Sequence, residues 1–570
     1  MLLYKVSEMR RKEIYMNAMI QNPIFPGFNP DPCICRKKDD FYVAVSSFEW
    51  FPGIPIYHSR DMKNWELYSH GLTNADDPDL KRLPSAKGIW APCLTYCEAD
   101  DMFYLVYGVM NSMNARYFDV DNFLITANDP AGPWSEPVYL HSLGFDASMF
   151  HDDDGKKYVV ALEWETRIEY EKPGFISIME YDPKTKQMIG MPKRFWRGGT
   201  DRGCIEAPHL TKHGDYYYIM CAEGGTGYYH SVTMGRSKNI WGPYEADPCN
   251  PILTSNPVNV NERADWDHLK PRYYNPDVKL QKAGHASYVE LPNGETWMVF
   301  HTSRPFIPEL RCTLGRETSI QRMKWSEDGW LRTENGCSLA EEFVKPSELP
   351  EYQMEQLPSH DDFDAGRLHI GYYAPRIAPE SFVDLTSRPG WARLRGQESG
   401  CSQNKVSILA RKLTSVQAVV TTKMDFTPLS YQHTAGLILY YDNMNFLYLY
   451  KYYSETLDHG AISILELDNG VKREYHDTDC TRTFVEDGKD IYMRISIHGR
   501  DVQFLWSMDG ENYAAIGPVF DISRLSDEYS EYGEFTGTFV GITCGDRMMH
   551  KHTADFDFFD YQADVHADVK

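Results

Sequence analysis

Three carboxylates in the first half of the chain stand in surroundings unlike those of the other acids. Asp31 lies in Phe28-Asn29-Pro30-Asp31-Pro32, Asp146 in Gly144-Phe145-Asp146-Ala147-Ser148-Met149-Phe150, and Glu206 in Cys204-Ile205-Glu206-Ala207-Pro208-His209-Leu210. Most other acids fall in polar, turn-like runs. An acid with apolar neighbours is costly to bury unless it is paired or hydrogen-bonded, and its pKa tends to rise. A general acid needs that property. Two carboxylates facing each other across a neutral bond are the equipment of glycoside hydrolysis: one protonates the leaving oxygen, the other attacks or activates water. A third between them would tune the acid by like-charge repulsion. Taken singly, Asp31 also reads as a polar turn, Asp146 as a structural turn acid and Glu206 as a satisfied acid at a strand end. Their matching character in successive repeats favours a site. The prolines fix φ at Pro30 and Pro32 and bias Asn29 and Asp31 towards extended backbone, so Asp31 is expected to be an aimed carboxylate.

The elements that would position these residues are strands. Five times a turn rich in Asp, Gly or Asn runs into a short aromatic and β-branched segment: Phe41 to Val45, Phe103 to Tyr107, Tyr158 to Leu162, Tyr216 to Met220 and Trp297 to Phe300. The spacing of roughly 55 to 80 residues holds about four short strands with their turns. Between them recurs a polar turn closed by an aromatic: Arg60-Asp61 to Trp65, Asn128-Asp129 to Trp134, and Ser237-Lys238 to Tyr244. This repetition predicts a five-bladed β-propeller over 19–345, with 1–18 as an extension lacking a pattern of its own. In such a fold, residues far apart in sequence meet in one central depression. Residues 346–362 read as a linker, with Pro346, Pro350 and Pro358. From Phe363 to 565, alternating strands and the turns Asn469-Gly470 and Asp509-Gly510 predict a β-sandwich. The fold class is all-β.

Composition narrows the partners. Lys and Arg number 58 against 82 acids, a net charge of −24, which repels nucleic-acid backbones and anionic membrane surfaces and makes a neutral substrate the easier fit. Aromatics form 14% of residues and include 38 tyrosines, which suits β packing and flat walls for sugar rings. Neither a signal-peptide core nor a membrane span is evident, and the 12 cysteines make no paired zinc pattern, so a cytoplasmic protein with free thiols is expected.

Eight strings carry a resemblance: Phe28-Asn29-Pro30-Asp31-Pro32, Ser46 to Gly53, Gly88-Ile89-Trp90-Ala91-Pro92, Gly144 to Ser148, Glu206 to Leu210, Ala222-Glu223-Gly224-Gly225-Thr226, Gly284-His285-Ala286-Ser287 and Leu314-Gly315-Arg316-Glu317-Thr318. In this order they resemble glycoside hydrolase family 43, and within it the two-domain β-xylosidases, from about Gln21 to Tyr561. The resemblance implies a propeller with a C-terminal sandwich, hydrolysing by single displacement with inversion. It implies Asp31 as the base that activates water, Glu206 as the acid, and Asp146 as the carboxylate that raises and orients the acid. It further implies Phe48 and Trp90 as walls around the terminal sugar, Arg316 as a donor to its hydroxyls, His285 beneath the floor, Trp164 on the leaving-group side, and Phe535 as a rim residue lent by the sandwich. A pocket closed in this way cleaves one sugar at a time.

The expected substrates are short β-1,4-xylo-oligosaccharides, with α-L-arabinofuranosides as a second or even the main substrate. A retaining fructan-type hydrolase and a non-catalytic sugar-binding propeller are the alternatives, and the presence of all three carboxylates argues against the second. No cofactor is required. The resemblance leaves room for a metal ion in the propeller channel near a histidine, although no acidic cage is evident, and it suggests a homodimer or homotetramer. The chain departs from the family pattern in three places: Ala207 where glycine is common, Cys33 where serine is common, and a stretch over 259–282 that is longer than usual and could reshape the rim or a subunit contact.

Overall fold

The computed structural model of the chain describes residues 18–169, 174–258, 273–475, 483–485, 488–532 and 535–569. The N-terminal extension up to residue 17 and residues 259–272 of the long insert lie outside the described residues.

Each of the five repeated segments forms the second strand of an antiparallel sheet whose strands follow one another in chain order. Blade I comprises Cys33–Lys37, Asp40–Ala44, Gly53–Ser59 and Glu66–Leu72; blade II comprises Gly88–Cys97, Met102–Asn114, Tyr117–Ala127 and Val138–His141. Blade III comprises Ser148–His151, Lys157–Glu163, Phe175–Asp182 and Gln187–Trp196. Blade IV comprises Glu206–His213, Tyr216–Glu223, Ser231–Ser237 and Glu245–Ala246, with Leu253–Thr254 added to its third strand. Blade V comprises Gln281–Glu290, Thr296–Ser303, Glu317–Trp325 and Leu331–Thr333. The first strands of successive blades touch one another in a closed ring, so they line the axis of a five-bladed propeller. The ends of the ring are joined where Ile20–Gln21 pairs with Phe343–Val344 and Phe25 bridges Thr318 of blade V.

The polar turns with aromatic plugs connect the third and fourth strands of blades I, II and IV. Each is held by a side chain that accepts a backbone N–H two residues on: Asp61 from Lys63 at 2.9 Å, Asp129 from Ala131 at 2.8 Å, and Asn239 from Trp241 at 3.0 Å. The aromatic then covers the end of the blade, as Trp65 does with its indole N–H on the Met62 carbonyl at 3.0 Å.

The second domain is a two-sheet sandwich. One sheet runs in the order 383–384, 392–395, 553–563, 417–425, 491–498, 501–507, 514–521, and the other in the order 407–412, 539–546, 433–442, 445–454, 459–468, 471–475. The first residues to pair in it are His360–Asp361, within the stretch read as a linker. Upstream of them, Tyr352 is tied to blade I by its backbone N–H on Asp61 at 2.8 Å and its hydroxyl on Glu66 at 2.6 Å.

The strand His433–Asp442 reads as an almost continuous apolar run because both of its faces are buried. Leu437 and Leu439 enter the core between the two sheets, while Ile438 and Tyr440 join a second core shared with the propeller. In that shared core Trp50 stacks on Phe539 with ring centroids 3.5 Å apart, and Trp50–Phe51 pairs with Ala374–Pro375 as a short two-stranded link between the domains. Burying aromatic surface of this kind contributes about 1.5–3 kcal/mol per large side chain, so the two domains hold each other firmly.

Candidate active site

Each innermost strand has a left-handed residue in or just before it, Asp31 with φ 56°, Ala91 with 39°, Asp146 with 55°, Ala207 with 50° and His285 with 41°, and Cys204 and Lys282 share this backbone in blades IV and V. In three of the five blades the strand register shifts at this point, between Trp90 and Cys93, between Glu206 and His209, and on both sides of Gly284. Such bulges bend a strand and re-aim its side chains. The expectation of extended backbone at Asp31 is therefore corrected. Aspartate tolerates the left-handed region better than most residues, and the contacts around its carboxylate over-determine a conformation that proline only disfavours.

Those contacts are specific. Arg316 donates from Nη1 to Asp31 Oδ1 at 2.6 Å, and the Ser46 hydroxyl donates to Oδ2 at 2.7 Å. His301 Nδ1 and His285 Nδ1 lie 3.4 Å and 3.5 Å from Oδ1. Burial alone would push the Asp31 carboxyl up, but Arg316, His285 and His301 together hold it well below the usual carboxylate range. Asp31 is thus an ionised carboxylate held in a fixed position.

The other two carboxylates go the opposite way. Burial, followed by the charge of Asp31, pushes Glu206 up to about 8 against the pull of Arg316. Burial likewise raises Asp146 to about 7, with Glu206 and Asp31 adding to the rise and His285 opposing it. Asp146 Oδ2 accepts the backbone N–H of Ala207 at 2.9 Å, which anchors it beside Glu206. His230 Nε2 sits 3.5 Å from Glu206 Oε1, and the ring, pushed down to about 3 mainly by burial, is neutral. Its Nδ1 faces the Lys282 carbonyl at 3.3 Å, which places the ring proton there and leaves a bare nitrogen towards the acid. His230 packs on His301 at 4.5 Å between ring centroids, so the contacts run Asp31, His301, His230, Glu206 across the site.

The remaining predicted residues gather around this centre. Phe48 lies under the Arg316 guanidinium at 5.5 Å and 5.6 Å from the Trp90 ring. Trp90 meets Phe145 at 5.8 Å and Phe535 at 6.2 Å, and Trp164 meets Phe145 at 6.0 Å and Phe118 at 4.7 Å. Phe535, from the sandwich, accepts Arg316 Nη2 on its carbonyl at 3.3 Å and stands 5.4 Å from the guanidinium. Every residue predicted for the site therefore belongs to one connected cluster, and the sandwich supplies part of it.

Sequence reasoning missed His230, His301, Ser46 and a buried clamp. Lys282 Nζ meets Glu528 Oε1 at 2.5 Å, and the other Glu528 oxygen accepts the Cys312 backbone N–H at 2.8 Å. One sandwich carboxylate thereby joins the strand that carries His285 to the loop that carries Arg316. The available signals were weak: His301 closes an apolar strand, and Gly284 precedes His285. A Cβ on Gly284 would meet the His230 ring at 2.3 Å, and one on Gly315 would meet the Thr536 carbonyl oxygen at 2.6 Å. Both glycines permit close approach.

Asp31, His285 and His301 bring one potential ligand atom each within 4.8 Å of one another, the set nearest to the expected channel metal. Arg316 already holds the oxygen that both rings face, placing a fixed positive charge where a cation would bind. This donor set does not fit a divalent ion.

Residues 20–331 match the family model described as Glycosyl hydrolases family 43. The chain belongs to glycoside hydrolase family 43. Residues 360–562 match a second model, described as the Beta xylosidase C-terminal Concanavalin A-like domain. This family 43 chain is 38% identical to a beta-xylosidase of Bacillus subtilis (strain 168), over 95% of this chain and 99% of that protein. It is 37% identical to xylosidase/arabinosidase 43B of Humicola insolens, over 96% of this chain and 98% of that one. The solved xylan beta-1,4-xylosidase from Bacillus halodurans C-125 is 40% identical and superposes with a TM-score of 0.89 over 95% of this chain and 100% of its own. The family 43 chain is a glycosidase with a propeller and a sandwich.

Proposed function

We propose that this family 43 enzyme removes xylose from the non-reducing ends of short β-1,4-xylo-oligosaccharides by inversion, and accepts α-L-arabinofuranosides in the same site. The observation that carries the reading is the division of labour among three carboxylates: Asp31 ionised by Arg316, and Glu206 and Asp146 kept protonated towards neutral pH by burial and by the charge of Asp31, with Glu206 adding to the rise at Asp146. In the step itself, Asp31 takes a proton from water as the water oxygen bonds to the anomeric carbon. The bond from that carbon to the glycosidic oxygen breaks, and Glu206 gives its proton to the departing oxygen. Asp146, by accepting the Ala207 amide, holds the acid's strand in place. Proton exchange with solvent restores both groups.

Relatives of similar identity bear the names beta-xylosidase and xylosidase/arabinosidase, which supports a site serving both sugars. Selectivity between two substrates of similar hydroxyl geometry rests on about 1–3 kcal/mol. The aromatic enclosure by Trp90, Trp164 and Phe535 supports exo action. We place the enzyme in the cytoplasm, as a homodimer or homotetramer, which light scattering would count. Following the first anomer released from an aryl β-xyloside by NMR tests the mechanism: α-xylose is expected, and β-xylose as first product would overturn inversion. Asp31→Ala and Glu206→Gln, assayed on both an aryl xyloside and an aryl arabinofuranoside, test the shared site; loss on one substrate alone would refute it.

A further inference from the structure

The innermost strands that carry the site also carry a second set of side chains along the axis. Cys33 lies two residues beyond the left-handed Asp31 and Cys93 two beyond the left-handed Ala91, so the two occupy matching places in neighbouring innermost strands. His209 lies three beyond Glu206, and the bulge at Ala207 absorbs the extra residue. The result joins blades I, II and IV: Cys33 Sγ and Cys93 Sγ are 3.7 Å apart, and one ring nitrogen of His209 lies within 4.8 Å of both sulfurs. Both thiols are buried, and the His209 ring, partly exposed, makes no hydrogen bond among the described residues.

The spacing has a chemical meaning. A disulfide would need the sulfurs at about 2.05 Å, far closer than they stand. A tetrahedral zinc ion bonded to sulfur at about 2.3 Å sets sulfur–sulfur edges of about 3.8 Å. Two thiols and an imidazole are also the ligand types that favour zinc over calcium or magnesium.

We propose that Cys33, Cys93 and His209 form a soft-metal site that takes one Zn2+ per chain at the propeller axis, with the fourth tetrahedral position open to water. The thiols bind as thiolates, so each ion taken up releases two protons. The ion ties together the three strands that bear Asp31, Trp90 and Glu206 without touching the reacting atoms. Its role is structural, and it is separate from the Asp31, His285, His301 set that Arg316 blocks.

The test uses the full-length enzyme, reduced, stripped with a chelator and titrated with Cd2+ as an optical probe and with Zn2+. One equivalent per chain, a saturating thiolate-to-cadmium absorption band and a Tm that rises with added metal are expected. Cys33→Ser and Cys93→Ser each abolish the band, and His209→Gln weakens binding in the same titration. Three results would overturn the proposal: wild-type enzyme that binds no metal after stripping, a band of equal strength in Cys33→Ser, or a thiol count showing Cys33 and Cys93 oxidised to each other. The wild-type titration decides even if a cysteine variant fails to fold.

Discussion

At the scale of single residues, the site works by contrast between environments. Asp31 has a guanidinium and two imidazoles around it, while Glu206 has a neutral histidine and two acids nearby. Replacing Asp31 with Ala should lower kcat about 10²–10⁴-fold with the fold kept, read by an aryl xyloside assay beside a circular dichroism spectrum. The pH profile of kcat/KM should fall on the alkaline side through about 8, where Glu206 loses its proton. Removing the guanidinium in Arg316→Gln raises the proton affinity of Asp31, so the acidic limb should move to higher pH. Glu206 also predicts a stability effect. Its folded pKa of about 8 exceeds the unfolded value of 4.5, so the native state holds a proton that the unfolded chain releases, and stability falls as pH rises between these values. Thermal scans should show Glu206→Gln melting level with wild type at or below pH 4.5 and above it at pH 8, each intervening unit being worth up to about 1.4 kcal/mol.

At the scale of elements, what aims the site is a set of left-handed residues at the innermost strands, joined in three blades by bulges. The strings around Asp31, Trp90, Asp146, Glu206 and His285 were legible as special, but their left-handed residues were not. None is glycine, so no conformational marker stood at the decisive positions, and at Asp31 the flanking prolines pointed the other way. The clamp from Glu528 to Lys282 was equally hidden, because each looks like an ordinary charged residue until both are found fully buried. Breaking a buried pair by removing one partner costs about 3–5 kcal/mol. Lys282→Met should therefore lower Tm by several degrees and raise KM, since the loop of Arg316 and the segment bearing Phe535 lose their common anchor. Adding Glu528→Gln should restore part of the Tm; strictly additive losses would show that the two residues do not act through one contact.

At the scale of the whole molecule, the sandwich is a working part of the catalytic face. It covers Phe28 and Trp50 with Phe539, places Lys412 on Asn29 at 2.6 Å, and sets the Phe535 carbonyl on Arg316. A chain ending at residue 345 would expose this aromatic surface and leave Arg316 without one of its partners. Such a truncated propeller should aggregate or, if soluble, lose most of its activity on an aryl xyloside; a soluble truncation with full activity would refute the dependence.

The amino-acid order alone determined the all-β class, the fivefold repeat, most strands of both domains and the three carboxylates, because these rest on period-two alternation, turn chemistry and an acid's immediate neighbours. Only the tertiary structure decided that Asp31 is left-handed, that His230 and His301 lie between Asp31 and Glu206, that one sandwich strand buries both faces, and that Cys33, Cys93 and His209 meet at the propeller axis. The physical reason is distance along the chain. Arg316 and Asp31 are 285 positions apart, and nothing local to either residue specifies the other. Their meeting, and the charges that follow from it, exist only once the ring of blades has closed.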